Sequence, residues 1–220
     1  VLMIAISGGS SVLVAHAFGA GDEARVGEGA GKSITYMLVS AILIVTPLGF
    51  FASNTILRAL GASEAVVDLG NGYLQILFAG SVFTMFNFAV SGILLGVGRT
   101  KISLALLLGV NLVNIGLNYI FIFGAGPIPA FGVRGAALGT VLARALGSGA
   151  GLWILVSSRF PVRARFQHIL KIDFSLLGKM LHLGGPRSLQ GIVRNFARLI
   201  TIRIITLLPA ATQSVSAYSV

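Results

Sequence analysis

The sequence predicts an all-α protein, a polytopic bundle of transmembrane helices, and three observations lead to that prediction. Of the 220 residues, 55% are hydrophobic and only 10% are charged, whereas a soluble domain carries about 25% charged residues. Apolar runs of about 20 residues, the length of helix that crosses the hydrocarbon core, recur along the chain. No stretch alternates polar and apolar residues with a period of two, so we expect helices to satisfy the backbone within lipid.

Six apolar runs are long enough to be predicted as membrane spans. In chain order they cover residues 1–17, 33–52, 73–97, 102–123, 135–158 and 183–208, and a seventh begins near Gln213. Residue 1 opens directly into an apolar run, and the last residues fall within the predicted start of another helix. We therefore expect the chain to be a fragment of a longer polypeptide.

Lysine and arginine are distributed unequally between the two sets of predicted loops. One set carries nine of them and the other carries one, Arg134. Because cytoplasmic loops are enriched in these residues, we expect the first set to face the cytoplasm and Glu64 and Asp68 to lie outside. The nine residues are Arg25, Lys32, Arg99, Lys101, Arg159, Arg163, Arg165, Lys171 and Lys179.

Small residues recur at every fourth position along the predicted fifth span. Such a ridge lets another helix approach closely, as small-xxx-small interfaces do in membranes. We expect it to serve packing rather than chemistry. Its members are Gly135, Gly139, Ala143, Gly147 and Gly151.

All six carboxylates of the chain fall in predicted loops, so no predicted span contains an acid. A cation-coupled carrier normally needs a carboxylate within the membrane. Either the coupling acid lies outside these 220 residues, or coupling works differently. The six are Asp22, Glu23, Glu28, Glu64, Asp68 and Asp173.

Amide side chains form the clearest polar pattern inside a predicted span. Asn111, Asn114 and Asn118 are spaced three and four residues apart and therefore share one helical face. Because amides facing lipid are costly, this face should meet a neighbouring helix or a wet cavity. A substrate or ion path and simple interhelical hydrogen bonding both fit the spacing. A weaker repeat in the third span, Thr84, Asn87 and Ser91, favours hydrogen bonding between helices.

Arginines also lie within predicted spans. Arg194 and Arg198 share one face of the sixth span, and Arg144 lies about ten residues into the fifth. Side chains near the ends of a span can extend to the headgroups, whereas a deeper cation needs a carboxylate, carbonyl groups or water. A structural role and a role in binding remain open for these three residues.

Several classes of function are excluded by composition. With no cysteine, no clustered histidine and no acid pair within a span, we find neither a nucleophile nor a metal site, and we expect no enzyme and no cofactor. The formal net charge is +10, but the cations lie between or within apolar runs rather than on a solvated face. Nucleic acid is therefore not an expected partner, and the lipid bilayer is.

Short motifs between the apolar runs resemble those of the multidrug and toxic compound extrusion (MATE) family, in order and in register. The resemblance runs from the family's second helix to the start of its eighth. It includes YLQI at 73–76, LGGPRSLQ at 183–190 and LPAATQSVSAYSV at 208–220. The most informative stretches are VAHAFGAGDEA at 14–24, GVGRTK at 96–101, NIGLNYIFIFG at 114–124 and GVRGAALGT at 132–140.

The resemblance implies half of a two-lobed, twelve-helix transporter that works by alternating access. Residues 1–158 would supply helices of the amino lobe, 159–182 a basic cytoplasmic linker and 183–220 the start of the carboxy lobe. It also implies an ion and substrate path at four residues that match the family's pattern, Tyr73, Asn114, Asn118 and Thr140. Asn118 stands where one subgroup has Asp, and Arg194 and Arg198 occupy a helix in which another subgroup has an acid.

We therefore expect a secondary antiporter that exports organic cations, drugs or metabolites in exchange for H⁺ or Na⁺. We expect it to be a multi-pass protein of the plasma membrane, specifically of a bacterial inner membrane. Its partners would include the missing helices of the same polypeptide. The candidate path residues are Tyr73, Asn114, Asn118, Thr140, Arg144, Arg194 and Arg198. The alternatives are a flippase for lipid-linked glycan precursors, to which the arginines point, and a non-transporting membrane remnant.

Overall fold

The structure is a computed structural model that describes residues 2–59, 63–157 and 173–206. Most of the predicted basic linker lies outside these ranges, including Arg159, Arg163, Arg165 and Lys171. The predicted start of the next helix, from about Gln213 onward, lies outside them too. The described helices are α1 (Leu2–Gly19), α2 (Glu23–Ser40), α3 (Thr46–Ala59), α4 (Glu64–Ala79), α5 (Ser81–Gly96), α6 (Thr100–Phe123), α7 (Gly132–Val156) and α8 (Phe174–Thr206). The all-α prediction is confirmed for these ranges.

The second predicted span is longer than its apolar run. Helices α2 and α3 join through one π-helical segment, Ala41–Val45, and together form a continuous helix of 37 residues. The π segment lies just before Pro47, which lacks an N–H and disturbs the regular backbone hydrogen-bond ladder. The Thr46 hydroxyl is hydrogen-bonded to Phe78 O (3.1 Å) and Ser81 Oγ (2.8 Å), so this irregular segment contacts the end of α4 and the start of α5.

The third predicted span is broken. Helices α4 and α5 meet at Gly80 with a bend of 48°, and α4 begins well before residue 73. Gly80 packs against the side chain of Val141 on α7, and a Cβ atom at Gly80 would lie 2.7 Å from Val141 Cγ1. The bend therefore fits a close contact between two helices that are distant in sequence.

Helices α6 and α7 form an antiparallel hairpin, and the ridge of small residues on α7 packs as predicted. Gly135 faces the backbone of Phe121, and Gly139 faces Asn118, both on α6. A Cβ atom at Gly151 would lie 3.1 Å from Val90 on α5. The ridge thus lets α7 approach α6 at Gly135, Gly139 and Gly147, and α5 at Gly151.

The buried core lies among α1, α2 and α5, with Leu155 of α7 and Met180 of α8 at its edges. Helix α8 packs along α1 through two glycines: Gly9 faces the backbone of Met180, and Gly184 faces the backbone of Ala5. Helix α8 begins at Phe174 rather than at the predicted residue 183. Asp173 accounts for the earlier start, because its carboxylate accepts hydrogen bonds from the first turn.

Length and composition identify three described helical stretches that can cross a membrane: Glu23–Ala59, Thr100–Phe123 and Gly132–Val156. The bent pair α4–α5 makes a fourth if it counts as one span. Helix α1 is a shorter apolar helix. Helix α8 is longer but contains several arginines, which lower its hydropathy.

The prediction that every carboxylate lies in a loop is wrong. Glu23 and Glu28 lie in α2, and Glu64 and Asp68 lie in α4. The apolar runs underestimate the length of these helices. Each helix begins with charged residues that precede the hydrophobic residues by which a span is predicted.

Candidate functional site

Two of the predicted asparagines meet the predicted threonine where α6 crosses α7. Asn114 Nδ2 donates to Thr140 Oγ1 (3.1 Å) and to Asn118 Oδ1 (3.4 Å), and Asn118 Nδ2 donates to Asn114 Oδ1 (3.3 Å). The Thr140 hydroxyl donates to Ala136 O (2.8 Å) within its own helix. All three side chains are half-buried. We call Asn114, Asn118 and Thr140 the amide cluster.

The amide cluster depends on a glycine of the small-residue ridge. Asn114 and Asn118 share a face of α6 because they are four residues apart, and Thr140 faces them from α7. A Cβ atom at Gly139 would clash with Asn118 Oδ1 and would lie 2.9 Å from the Asn118 backbone nitrogen. The absence of a side chain at residue 139 therefore allows the two helices to approach closely enough for these hydrogen bonds.

A second polar cluster lies one helical turn farther along α7, towards α5. Arg144 Nη1 donates to Thr84 Oγ1 at 2.9 Å. Asn87 Nδ2 lies within hydrogen-bond distance of Arg144 O (2.8 Å) and Ser148 Oγ (3.0 Å). Thr84 and Asn87 thus join two helices, as their spacing predicted. We call Arg144, Thr84, Asn87 and Ser148 the arginine cluster.

The structure places the other predicted residues away from these clusters. Asn111 is exposed and donates to Leu107 O (2.8 Å) in its own helix, although it was predicted to share the amide face. Tyr73 is half-buried on α4, and no hydrogen bond joins it to the amide cluster. Arg194 is exposed on α8. Arg198 lies in the same helix, and its side chain lies outside what the structure describes.

Sequence reasoning missed a third polar cluster, around the buried Lys32. Its Nζ lies 3.3 Å from Glu28 Oε1 and 3.3 Å from Asp173 Oδ2, and its side chain is only 7% exposed. The Tyr36 hydroxyl donates to Asp173 O at 2.7 Å. The four-residue spacing of Glu28 and Lys32 was a usable signal. Asp173, which is 141 residues from Lys32, offered none.

Asp173 links this third cluster to the start of α8. Its Oδ1 atom accepts hydrogen bonds from the backbone N–H groups of Ser175 (2.9 Å) and Leu176 (3.2 Å). The Leu176 hydrogen bond, followed by the one from Lys32, lowers the pKa of the Asp173 carboxyl below its ordinary value. The carboxylate therefore holds α8 against α2 in its ionised form.

Within the described ranges, no group of three or more His, Cys, Asp or Glu residues is arranged to hold a metal ion. The amide and arginine clusters instead offer amide, hydroxyl and guanidinium groups between long apolar helices. The amide and hydroxyl oxygens suit hydrogen bonding to a small molecule or coordination of a hard cation, whereas the guanidinium suits an anionic or other acceptor group.

Several apolar helices of membrane-spanning length, with polar clusters between them, define a polytopic membrane protein. The MatE family model matches residues 1–120. The chain belongs to this family, whose members are membrane transporters and not enzymes.

Curated relatives and solved structures agree with this assignment. The probable multidrug resistance protein YoeA of Bacillus subtilis is 28% identical over 204 residues, which are 92% of this chain and 44% of that protein. The chain thus spans about half the length of the curated relatives that it matches.

Solved transporters match the fold along nearly the whole chain. A multidrug resistance MATE family transporter solved in an inward-facing conformation has a TM-score of 0.80 at 25% identity, over 97% of this chain and 48% of that one. A multidrug resistance MATE family transporter solved in an outward-facing conformation has a TM-score of 0.83 at 25% identity, over 99% of this chain and 47% of that one. A transporter from Pyrococcus furiosus, described as having a binding pocket of reverse polarity, has a TM-score of 0.85 at 25% identity, over 99% and 47%.

Proposed function

We propose that this chain forms the first lobe, and the start of the second, of a secondary antiporter that exports drugs, metabolites or organic cations in exchange for H⁺ or Na⁺. The observation that supports the proposal most is the amide cluster. Asn114, Asn118 and Thr140 bring three polar side chains together within a helix pair of membrane-spanning length. Membership in a family of multidrug transporters makes a transport path the natural role of these groups.

The chemistry of the amide cluster suits binding rather than proton uptake. Amide and hydroxyl oxygens can coordinate Na⁺ or accept hydrogen bonds from a substrate ammonium group. They do not titrate near neutral pH. For proton coupling, the proposal therefore places a carboxylate on a segment of the polypeptide outside these 220 residues, facing Asn114 and Asn118.

Alternating access is supported by the contact between α1 and α8. If residues 183–220 begin the second lobe, its first helix is the part of α8 from residue 183 onward, and the packing of Gly184 against Ala5 joins the two lobes. The Lys32–Asp173 ion pair joins the predicted linker to the first lobe near the predicted cytoplasmic side. In the proposed cycle these contacts open when the transporter changes between its inward-facing and outward-facing conformations. The relative from Bacillus subtilis supports a bacterial plasma membrane as its location.

The test is efflux from cells that lack their own drug pumps and express the full-length polypeptide. Loss of a fluorescent lipophilic cation is followed with the proton gradient intact and collapsed, with and without Na⁺. We expect gradient-dependent efflux that Asn114→Ala and Asn118→Ala reduce about tenfold, as expected for loss of hydrogen bonds to a charged group. Asn111→Ala, on the same helix but outside the cluster, is the matched control and should retain efflux.

Two results would contradict the proposal. One is an absence of efflux from a protein that is well expressed and correctly inserted. The other is a loss of efflux in Asn111→Ala equal to that in Asn114→Ala, because the amide cluster would then have no special role. The ion whose removal abolishes efflux identifies the coupling ion.

A second candidate function is the flipping of lipid-linked glycan precursors, and the membrane-embedded Arg144 favours it. The Pyrococcus furiosus transporter, with its pocket of reverse polarity, is described as suggesting a different function. Complementation of a flippase-deficient strain would support this candidate. Failure to complement, together with no binding of an anionic lipid precursor, would exclude it.

A further inference from the structure

Arg144 is the central residue of α7. The helix runs from Gly132 to Val156, so about 18 Å of helix separates Arg144 from either end at 1.5 Å per residue. A side chain so far from both ends does not reach the headgroup region by extending along the helix. Its charge must therefore be stabilised by groups within the membrane.

No carboxylate of this chain pairs with Arg144. All six Asp and Glu residues of the sequence lie in the described ranges. Their ion pairs are with Arg25, Lys32 and Arg58. Among the described residues, the only side chain that accepts a hydrogen bond from the guanidinium is Thr84, which leaves most of its five N–H donors for another partner.

The surrounding hydrogen bonds hold Arg144 in place without neutralising it. Asn87 Nδ2, on α5, lies 2.8 Å from Arg144 O and fixes that backbone against α5, while the Ser148 hydroxyl donates to the same oxygen (2.9 Å) within α7. Thr84 holds one edge of the guanidinium. The side chain remains half-buried, so part of it is not covered by the described helices.

We infer that Arg144 binds an anionic group of the exported molecule, a carboxylate on a small organic substrate. The planar guanidinium matches the two oxygens of a carboxylate and binds them more strongly in a membrane interior than in water. Thr140 lies one turn away on the same face of α7. A substrate held by Arg144 therefore places its remaining polar groups near the amide cluster. This inference rests on the proposed export function and specifies its substrate class.

The test compares two fluorescent probes that differ at one group. Rhodamine 110 carries a free carboxylate, and rhodamine 123 is its methyl ester. Full-length protein is reconstituted in phosphatidylcholine vesicles, and the transport of each probe is measured. The proteins compared are wild type, Arg144→Gln, Arg144→Lys and Arg99→Gln. Arg99→Gln is the control, because it changes an exposed arginine just before α6.

We expect Arg144→Gln to lower transport of rhodamine 110 about tenfold or more, as for loss of a charge-assisted hydrogen-bonded pair, and to leave rhodamine 123 unchanged. Arg144→Lys should be intermediate, because it keeps the charge and loses the planar fork. Arg99→Gln should match wild type. Equal loss of both probes in Arg144→Gln, or loss of neither, would overturn the inference. Equal loss would indicate that Arg144 pairs with an acid on another segment.

Two further arms separate the possible failures. If wild type transports neither probe, the proposed export function fails, and fluorescence anisotropy then measures binding. Tighter binding of rhodamine 110 that Arg144→Gln abolishes still supports the subsite, and equal affinities overturn it. If added phosphatidylglycerol inhibits wild-type transport of rhodamine 110 but not of rhodamine 123, a lipid headgroup occupies the site and the small-molecule assignment is wrong.

Discussion

Lys32 is a buried cation that is stabilised by two acids from different parts of the chain. Removing a charge from water is costly, and the cost is offset only when partners and hydrogen bonds are well placed. Glu28 comes from the preceding turn of α2, whereas Asp173 comes from the residue before α8. Asp173 also caps α8, so one carboxylate both begins that helix and attaches it to α2.

The lowered pKa of Asp173 predicts a dependence of stability on pH. Because the pKa is lower in the folded state than its ordinary value of 3.8, the ionised carboxylate contributes stability above that value. This contribution is lost as the pH falls through the folded-state pKa. We expect wild type to lose melting temperature between pH 5 and about pH 3 more steeply than Asp173→Asn, measured by intrinsic fluorescence of the purified protein.

Asparagine is the suitable replacement because it caps a helix almost as well as aspartate. Asp173→Asn therefore keeps the start of α8 and removes only the charge that faces Lys32. At pH 7 the variant should melt at a lower temperature than wild type. Parallel pH profiles for the two proteins would show that the ion pair contributes nothing to stability.

Helices α6 and α7 show how a packing motif positions polar groups. The ridge on α7 was predictable from sequence, because its four-residue spacing is regular and its residues are small. Which helix it meets was not predictable. Gly139 faces Asn118, so the same close approach that packs the hairpin also brings the amide cluster together.

Gly139→Ala tests this link between packing and site. The added methyl group would meet Asn118 and force α6 away from α7, with an expected cost of about 1–3 kcal/mol for overpacking. Thermal unfolding in detergent and efflux should both decrease. Gly149→Ala is the matched control, since no atom lies within 4 Å of a Cβ atom there, and alanine should leave stability equal or higher by up to about 1 kcal/mol. Equal stability of the two variants would contradict the predicted contact.

The breaks in the helices could not be read from the sequence. The bend at Gly80 fits a contact with Val141, a residue 61 positions away, and no proline marks it. The early start of α8 depends on Asp173, and the depth of Lys32 depends on the packing of α8. Apolar runs predict which segments of the chain face lipid. The positions of charged helix ends and of bends depend instead on contacts between distant segments.

At the scale of the whole molecule, helical hairpins pack through glycines and carry their polar groups in separate clusters. The amide and arginine clusters lie between α5, α6 and α7, whereas the Lys32 cluster joins α2 to α8. The sequence predicted the fold class and the family, and the family resemblance picked out Asn114, Asn118 and Thr140 as residues of one path, without predicting their hydrogen bonds. It did not predict that Asn111 stays apart or that the cation at residue 144 bonds to Thr84, because both depend on how helices are rotated against each other.

The central claim is that the amide cluster lines a water-filled transport path. The direct measurement is labelling by a membrane-impermeant maleimide of single cysteines in the full-length protein, since these 220 residues contain none. We compare Asn114→Cys with Ile115→Cys, its neighbour on α6, whose apolar side chain is 67% exposed and lies off the face that carries Asn114 and Asn118. The account predicts that residue 114 reacts, that substrate protects it, and that residue 115 does not react. An unreactive residue 114, or equal labelling of both that substrate does not change, would contradict it.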